Sequence, residues 1–417
     1  MPSDLAAEVR EFVESTWDPT LTLRRWWEAL AAARLAFPQW PEEHGGRGLS
    51  TAEAGIVRST LDAQAVIGPP GGIGSNLAAP TLLQHGDAHL LRRFLPGIAR
   101  GTDGWCQLFS EPEAGSDLAG LRTRAEQDGD EWVVDGQKVW NSNAHAADFG
   151  LLLARTNSDV PKHRGISYFV LAMDAPGVEV RPLRQMNGDA EFDEVFMTGA
   201  RIPADQLVGE QGDGWRIANT TLAFERGNIA SRGAGISLTA GAKQHQLDLT
   251  VGELLEGLRR QTRRPISGYI VGNRQMVELA REFDRTDDAL IRQRLAAYRT
   301  AVDLNRWTVR RAAEAARRGT PGPQSSVAKL AISSLARRSR DLALDVMGPQ
   351  GLLTGPEAPH DGAVAHVALS SPAASLGGGT DEIQRNVAAE RALGLPKEPS
   401  VDRDVPFRDL PTSGPPR

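Results

Sequence analysis

Apolar residues recur at three- and four-residue spacing along the first part of the chain. This spacing places them on one face of a helix, so it predicts amphipathic helices from Ser3 to about Gly101. The pattern is clearest in Thr51–Val66 and Ala88–Ala99, and clusters of Gly and Pro separate the helical segments. We therefore expect residues 1–104 to form a helical domain.

From Trp105 the pattern changes to short β-prone runs separated by turn signals such as Asp135-Gly136. Several short strands at this spacing, with no helical pattern between them, favour an antiparallel barrel or sandwich over residues 105–213. The predicted strands are Glu131–Trp140, Phe149–Ala154, Ile166–Leu171, Val178–Pro182 and Phe192–Met197.

Helical spacing returns at Gly214 and continues to about Leu395 in longer segments. Successive long amphipathic helices favour a bundle, here over residues 214–396. The remaining residues 397–417 are rich in Pro and charge, which predicts a flexible tail. The main predicted helices are Ile217–Ala240, Gly272–Phe283, Asp288–Arg317 and Ser325–Met347.

The composition narrows the class of protein. With 417 residues the chain is long enough for two or three domains, and its net charge of −6 gives no support to nucleic-acid binding. Its single cysteine, Cys106, excludes an internal disulfide, and no signal peptide or long apolar span is recognisable. Zinc-ligand spacings and a Rossmann glycine motif are also missing. We expect a cytoplasmic protein without a metal or a membrane segment.

Three segments could carry chemistry. The first, L-F-S-E-P-E-A-G-S-D-L over Leu108–Leu118, is a strand that leads into a turn with a Gly and hydroxyl groups. Such a loop offers N–H and O–H donors to a flavin ring or a phosphate, although the same residue types are typical of an ordinary turn.

The second segment, G-Q-K-V-W-N-S-N-A over Gly136–Ala144, ends a strand with an aromatic residue and a hydroxyl two positions later. Trp140 could stack on a planar cofactor while Ser142 bonds the cofactor's edge. The alternative is that Trp140 closes one end of the barrel.

The third segment, Gly377–Asn386, delivers three glycines to a helix that Thr380 caps. A Gly run before a helix N-terminus suits close approach to a ligand, and a flexible hinge is the alternative.

Together the three segments closely resemble the signatures of acyl-CoA dehydrogenases, in the family's order and at its spacing. The resemblance runs from about Leu5 to Pro396 and includes Pro80–Gly86 and Gly209–Trp215. It implies a mainly α protein with an N-terminal helical domain, a middle β-barrel and a C-terminal four-helix bundle. It also implies FAD as cofactor, a homodimer or homotetramer, and a role in fatty acid or lipid metabolism.

The resemblance also implies roles for individual residues. Ser142 would bond near the N5 edge of the flavin. The flavin and its phosphates would contact Phe109, Ser110, Gly115, Ser116, Trp140, Ser142, Thr380 and Glu382.

The resemblance implies desaturation of an acyl-CoA. This reaction needs a carboxylate that removes the α-proton of the acyl group while hydride leaves Cβ for the flavin. In many family members this carboxylate lies two residues before the Thr of the third signature, but here that position is Gly378, which would only border the substrate. A subset of the family carries the base in a Glu-Arg pair on a bundle helix. The matching pair here makes Glu225 the candidate base and Arg226 a residue that orients it and contacts substrate. The alternative is that Glu225 pairs with a neighbouring helix.

Two family features that reach the flavin of a neighbouring subunit are altered. The nearest match to an Arg-x-x-Phe-Gly segment is Arg259–Pro265, which lacks Phe-Gly, and Asp345 replaces a Gln. Arg292 and Arg294 are alternative flavin contacts.

Three functions remain open from the sequence. The main hypothesis is desaturation of an acyl-CoA, with electrons passing to an electron-transfer flavoprotein. The second is an oxidase or monooxygenase with the same fold. The third is a non-catalytic subunit of a hetero-oligomeric dehydrogenase, since Gly378 cannot act as a base.

Overall fold

The computed structural model describes residues 2–231, 236, 238–241, 245–262, 266, 268–318, 322, 324–397 and 402–411. Helices, then strands, then helices follow one another along these residues. The predicted fold class, a mainly α protein with a β domain between two helical regions, is therefore confirmed.

The N-terminal helices pack around buried indole rings. Trp26 and Trp27 are fully buried, and their Nε1 atoms donate to the carbonyl oxygens of Ile67 at 2.6 Å and Gly68 at 2.9 Å. These bonds fix the start of the Gly- and Pro-rich loop Gly68–Gly72 against the helices. The helices are α1 (Pro2–Thr16), α2 (Leu23–Ala32), α3 (Thr51–Ala63), α4 (Ala79–His85) and α5 (Ala88–Arg100).

Eight strands form one sheet in the order β6-β7-β3-β2-β4-β5-β8, with β1 beside β4. Most neighbours are antiparallel, as predicted, but β1 and β2 both run parallel to β4. The expectation of a purely antiparallel domain was wrong here. The long connection from β1 to β4 returns the chain to the edge of the sheet where β1 begins, so the two strands run in the same direction. The strands are β1 (Trp105–Leu108), β2 (Arg124–Asp128), β3 (Glu131–Ser142), β4 (Phe149–Arg155), β5 (Ile166–Ala172), β6 (Val178–Leu183), β7 (Phe192–Pro203) and β8 (Leu207–Val208).

Strand β4 joins the β domain to the helical part of the molecule. Its side chains are buried on both faces, and alternate residues belong to two cores. Leu151 and Leu153 pack with the N-terminal helices, whereas Leu152 and Ala154 pack inside the β domain. The sheet and the helices around it therefore form a rigid support for the loops at the ends of β1 and β3.

The C-terminal helices surround α10, which contacts α8, α9, α11 and α13. Charged residues recur along even the longest of them, and within the described ranges no helix is long and apolar enough to cross a bilayer. The helices are α6 (Gly214–Ser231), α7 (Val251–Thr262), α8 (Asn273–Glu282), α9 (Ala289–Arg317), α10 (Gln324–Met347), α11 (Ala363–Ser370), α12 (Ala373–Leu376) and α13 (Asp381–Ala392).

The predicted helix Ile217–Ala240 is too long. Helix α6 ends at Ser231, and Ile236 forms a parallel bridge with Ile67. The N–H of Gly68 donates to the carbonyl oxygen of Ile236 at 2.8 Å. The helix prediction was wrong at Ile236 because its backbone pairs with the N-terminal loop instead of with its own helix.

The segment predicted as a flexible tail contains a packed part. Residues 402–411 lie against the β domain, where Pro406 bridges Pro161 and the N–H of Phe407 donates to the carbonyl oxygen of Val160 at 2.9 Å. Backbone pairing of this kind is not visible in a Pro-rich, charged composition.

Candidate active site

The first two signature segments are hydrogen-bonded to each other. The N–H of Val139 donates to the carbonyl oxygen of Ser110 at 2.9 Å, and Nζ of Lys138 donates to the carbonyl oxygen of Phe109 at 3.0 Å. The loop after β1 is thus attached to the end of β3. The structure brings together two motifs that the sequence analysis treated separately.

A buried ion pair strengthens this attachment. Lys138 is 0 % exposed and Glu111 is 8 % exposed, and Nζ lies 2.8 Å from Oε1. Backbone N–H groups of Arg122 and Thr123 also donate to Glu111 at 2.6 and 2.9 Å. Burial raises the pKa of Glu111, but the charge of Lys138 and these hydrogen bonds more than offset that effect and hold the pKa below its ordinary value. Burial lowers the pKa of Lys138.

Trp140 lies on a β-bulge. The pairing of β3 with β7 shifts register between Lys138 and Asn141, and Trp140 has φ of +62°. Its side chain is 57 % exposed, and its ring contacts that of Phe192 edge to face. A β-bulge re-aims side chains, so the register shift and the positive φ together turn this ring outward from the sheet.

The remaining residues of the first signature divide into two groups. The ring of Phe109 is buried and packs edge-to-face on Tyr168 with centroids 5.8 Å apart, so it supports the loop from behind. Gly115 and Ser116 are exposed at the tip of the loop, and Ser110 is half-buried. The loop therefore presents backbone and hydroxyl groups on its outer side.

A small cavity opens beside Ser142, with a volume of about 140 Å³. It lies between the N-terminal loop, the end of β3 and the segment after α6, and sequence reasoning gave no sign of it. Ligand pockets for drug-sized molecules are about 300–1,000 Å³, so this cavity holds only a small group. Lining residues include Gly72, Ile73, Trp105, Asn143 and Thr239.

Glu225 lies beside strand β1, which leads into the first signature. It is partly buried on α6, and its Oε2 is 3.5 Å from Nε2 of Gln107, at the outer limit of hydrogen bonding. The carbonyl oxygen of Gln107 in turn accepts a 2.7 Å bond from Nδ2 of Asn141. Sequence reasoning missed Gln107 and Asn141, although an amide inside an apolar strand was a usable signal.

A buried cluster of hydroxyl groups fixes α6 one turn before Glu225. Oγ1 of Thr221 is 3.0 Å from Oγ1 of Thr81 on α4 and 3.1 Å from the hydroxyl of Tyr168 on β5. Burial raises the pKa of Tyr168, so the phenol stays neutral. Residues four apart lie on one face of a helix, so the cluster sets the position of Glu225.

The structure describes other predicted site residues only in part. Arg226 has its backbone in α6, and its side chain lies outside the described residues, as do the side chains of residues 260–265. Arg294 forms an ion pair with Asp345 that links α9 to α10. Two positions considered as flavin contacts are therefore paired with each other.

The third signature is a tightly bonded turn on the bundle. Gly378 and Gly379 have φ of +66° and +82°, a region that glycine adopts without strain. Thr380 then caps α13, and its side chain accepts a bond from the N–H of Ile383 at 3.3 Å. Glu382 is exposed and pairs with Arg385. These contacts favour a fixed turn over a flexible hinge.

Asp381 anchors the third signature to α10. Its carboxylate lies 3.0 Å from Nζ of Lys329 and 3.1 Å from a guanidinium nitrogen of Arg337. Burial raises the pKa of Asp381, but hydrogen bonds from Ser333, Lys329 and Arg337 more than offset it and lower the pKa to about 2. Thr380 and Glu382 flank this anchor.

We predict that the contribution of Asp381 to stability is lost in acid. Because its pKa in the folded protein is about 2 and its ordinary value is 3.8, the contribution is complete above the ordinary value and disappears as pH falls through about 2. The difference in free energy of unfolding between wild type and Asp381→Asn should shrink over this range. The exposed Asp341→Asn is the control, and a difference for Asp381→Asn that stays constant with pH would refute the assignment.

Three family models match the chain in succession. Residues 3–102 match the acyl-CoA dehydrogenase N-terminal domain, residues 106–198 the middle domain, and residues 268–393 the C-terminal domain. Together they include all three signature segments, whereas Glu225 and Arg226 lie between the last two matched ranges.

Similar proteins carry the same family name. Acyl-CoA dehydrogenase IpdE1 of Mycobacterium tuberculosis is 41% identical over 375 residues, which are 90% of this chain and 88% of IpdE1. FadE34 of the same organism is 39% identical over 88% of this chain and 46% of its own. A chain in the crystal structure of the ChsE4-ChsE5 complex, also from M. tuberculosis, is 27% identical with a TM-score of 0.64, over 95% of this chain and 98% of that chain. The chain therefore belongs to the acyl-CoA dehydrogenase family.

Proposed function

We propose that this protein is an FAD-dependent acyl-CoA dehydrogenase that introduces an α,β double bond into an acyl-CoA thioester. The position of Glu225 supports this most directly, since its carboxylate lies 3.5 Å from Gln107 on the strand that leads into the first signature. The carbonyl oxygen of Gln107 in turn accepts a hydrogen bond from Asn141 in the second signature. These two contacts support an active site that Glu225 and the first two signatures share.

The residues around this place fit a flavin. The exposed ring of Trp140, held at positive φ, offers a face for stacking on a planar ring system. The exposed loop at Gly115 and Ser116 offers N–H and O–H groups to phosphates. Within the described part of the chain, Oδ1 of buried Asn141 accepts no hydrogen bond, so it could accept one from a donor group of the cofactor. In the proposal Phe109, Ser110, Ser142, Thr380 and Glu382 complete the cofactor site. FAD bound there would supply a hydride acceptor.

In this scheme Glu225 removes the α-proton. A carboxylate oxygen takes the proton, and the partial burial of Glu225 on α6 limits its contact with bulk water. Gln107 orients the carboxylate from β1, while the hydroxyl cluster of Thr81, Thr221 and Tyr168 fixes the helix behind it. Arg226 and Gly378 would border the thioester. Since Gly378 carries no side chain, Glu225 remains the candidate base.

Removal of the Trp140 ring should weaken FAD binding. Aromatic stacking contributes about 0.5–1.5 kcal/mol beyond area burial, so Trp140→Ala should lower FAD affinity about two- to ten-fold or more. Trp140→Phe, which keeps an aromatic face, should retain most of the affinity. Titration of each apoprotein with FAD measures this, and equal affinities for wild type and Trp140→Ala would remove Trp140 from the site.

The electron acceptor and the assembly belong to the same proposal. An electron-transfer flavoprotein is the proposed acceptor, and the cytoplasm the proposed location. Large apolar side chains are exposed on the C-terminal helices, among them Leu290, Leu304, Trp307, Leu376 and Leu393. Such a surface suits an oligomer interface. We propose a homodimer or homotetramer, or a hetero-oligomer, given that a similar solved structure is a complex of two differently named chains.

Four measurements test this function: FAD binding, flavin reduction, flavin reoxidation and light scattering. Purified alone, the protein should bind FAD, and anaerobic addition of a suitable acyl-CoA should bleach the bound flavin. Slow reoxidation of the bleached flavin by oxygen, with fast reoxidation by an electron-transfer flavoprotein, separates a dehydrogenase from an oxidase. A chain that binds no FAD, alone or with any partner chain, would contradict the proposal, and light scattering reports the assembly in each case.

A further inference from the structure

The packed part of the C-terminal tail, Asp402–Leu410, lies against the connection between β4 and β5. The matched C-terminal family model ends at residue 393, so this segment lies beyond it. The N–H groups of Phe407 and Arg408 donate to the carbonyl oxygens of Val160 at 2.9 Å and Ser158 at 3.1 Å. We call this segment the strap.

The ring of Phe407 covers a buried arginine. The guanidinium carbon of Arg155 lies 3.4 Å from the ring centroid, and Arg155 is 4 % exposed. Its nitrogens donate to the carbonyl oxygens of Ala119 at 2.7 Å and Leu121 at 3.1 Å. Burial lowers the pKa of Arg155 to about 10. A buried cation bonded to carbonyl oxygens gains from the electron-rich face of an aromatic ring.

A lysine makes a second link between the strap and the loop. Nζ of Lys162 lies 2.6 Å from the carboxylate of Asp402 on the strap and 2.9 Å from that of Asp117 at the end of the first signature. The lysine is 11 % exposed. Asp117 directly follows Ser116, so the link ends one residue from a proposed FAD contact.

We propose that Phe407 and Asp402 are positioning residues for FAD binding: the strap holds the backbone of residues 117–122, through Arg155 and Lys162, in the conformation that presents Gly115 and Ser116 to the cofactor's phosphates. The inference rests on the proposed role of those two residues. The strap does not touch the cofactor in this scheme. It acts by fixing the ends of the loop that does.

The test compares substitutions at Phe407 in the full-length protein. Phe407→Leu keeps an apolar side chain but removes the π face, so FAD affinity should fall about three- to thirty-fold, the range of a cation–π contact expressed as an equilibrium constant. Phe407→Tyr keeps the ring and should restore the affinity. Asp402→Asn should weaken binding in the same direction. Arg274→Ala, which removes an exposed pair with Glu278 on α8, is the control and should bind FAD as wild type does.

Amide hydrogen exchange without FAD keeps this inference distinct from the proposed function. The N–H groups of Gly120 and Leu121 are bonded within the loop at 2.9 and 3.1 Å, and they should exchange faster in Phe407→Leu than in Phe407→Tyr. If wild type binds no FAD, the proposed function fails, and the exchange rates alone decide whether the strap holds the loop. Unchanged exchange at both amides, or unchanged FAD affinity in Phe407→Leu, would overturn the inference.

Discussion

Glu225→Gln should bind FAD normally but fail to reduce it with substrate. Glutamine keeps the shape of the side chain and its contact with Gln107, but it cannot accept the α-proton. General-base steps contribute about a hundred- to ten-thousand-fold, so the rate of anaerobic flavin reduction should fall by at least that order. Stopped-flow absorbance after mixing with an acyl-CoA measures the rate.

Two further variants complete this experiment. Glu210→Gln, an exposed substitution shortly before α6, should reduce its flavin at the wild-type rate. Gly378→Glu in the Glu225→Gln background should recover part of the rate at most, because φ of +66° strains a residue with a side chain. If Glu225→Gln reduces its flavin as fast as wild type, Glu225 is a structural residue of α6 and another group is the base.

Lys138→Met should be the most destabilising of the substitutions considered. It leaves the carboxylate of Glu111 buried without its cation, and removal of one partner of a buried pair typically costs about 3–5 kcal/mol. FAD affinity should fall as well, since Nζ of Lys138 also holds the carbonyl oxygen of Phe109 in the first signature. Chemical denaturation of both proteins measures the loss in free energy of unfolding.

The cause of this loss can be checked in two ways. Lys138→Met combined with Glu111→Gln should be more stable than Lys138→Met alone, because the buried group that has lost its cation is then neutral. The loss should also shrink at acidic pH. In wild type burial raises the pKa of Glu111, but the charge of Lys138 and the hydrogen bonds outweigh it and lower the pKa, so protonation in acid destabilises the fold. Without Lys138 that part of the stabilisation is already absent, so less is lost as pH falls. A loss independent of pH and of Glu111 would mean that packing of Lys138 alone is responsible.

Local sequence patterns predicted the fold well where the pattern itself determines the backbone. Apolar spacing identified Ala88–Ala99 within helix α5 and Phe149–Ala154 within strand β4, since each of these segments buries a continuous face. The same spacing extended α6 too far, because pairing of Ile236 with Ile67 depends on a loop far away in the chain. Local periodicity does not contain such a contact.

The residues of the candidate site could likewise be predicted from the sequence only in part. Trp140, Ser142 and Thr380 could be named because they stand within motifs that resemble those of a family. The connections between motifs could not, since Lys138 and Glu111, or Glu225 and Gln107, meet only after the β domain and α6 have packed. The strap was missed for a related reason: the composition of residues 402–411 predicts a loose tail, and its contacts depend on a buried arginine in β4.

The central claim is that this chain removes two hydrogens from an acyl-CoA, and a single anaerobic turnover tests it most directly. The FAD-loaded protein is mixed with a panel of acyl-CoAs, and the thioester recovered from each reaction is analysed by mass spectrometry alongside the flavin spectrum. We predict that at least one substrate bleaches the flavin and returns as its α,β-unsaturated product, and that Glu225→Gln gives neither change. A protein that binds FAD but, with or without a co-purified partner chain, returns every acyl-CoA unchanged would contradict the account.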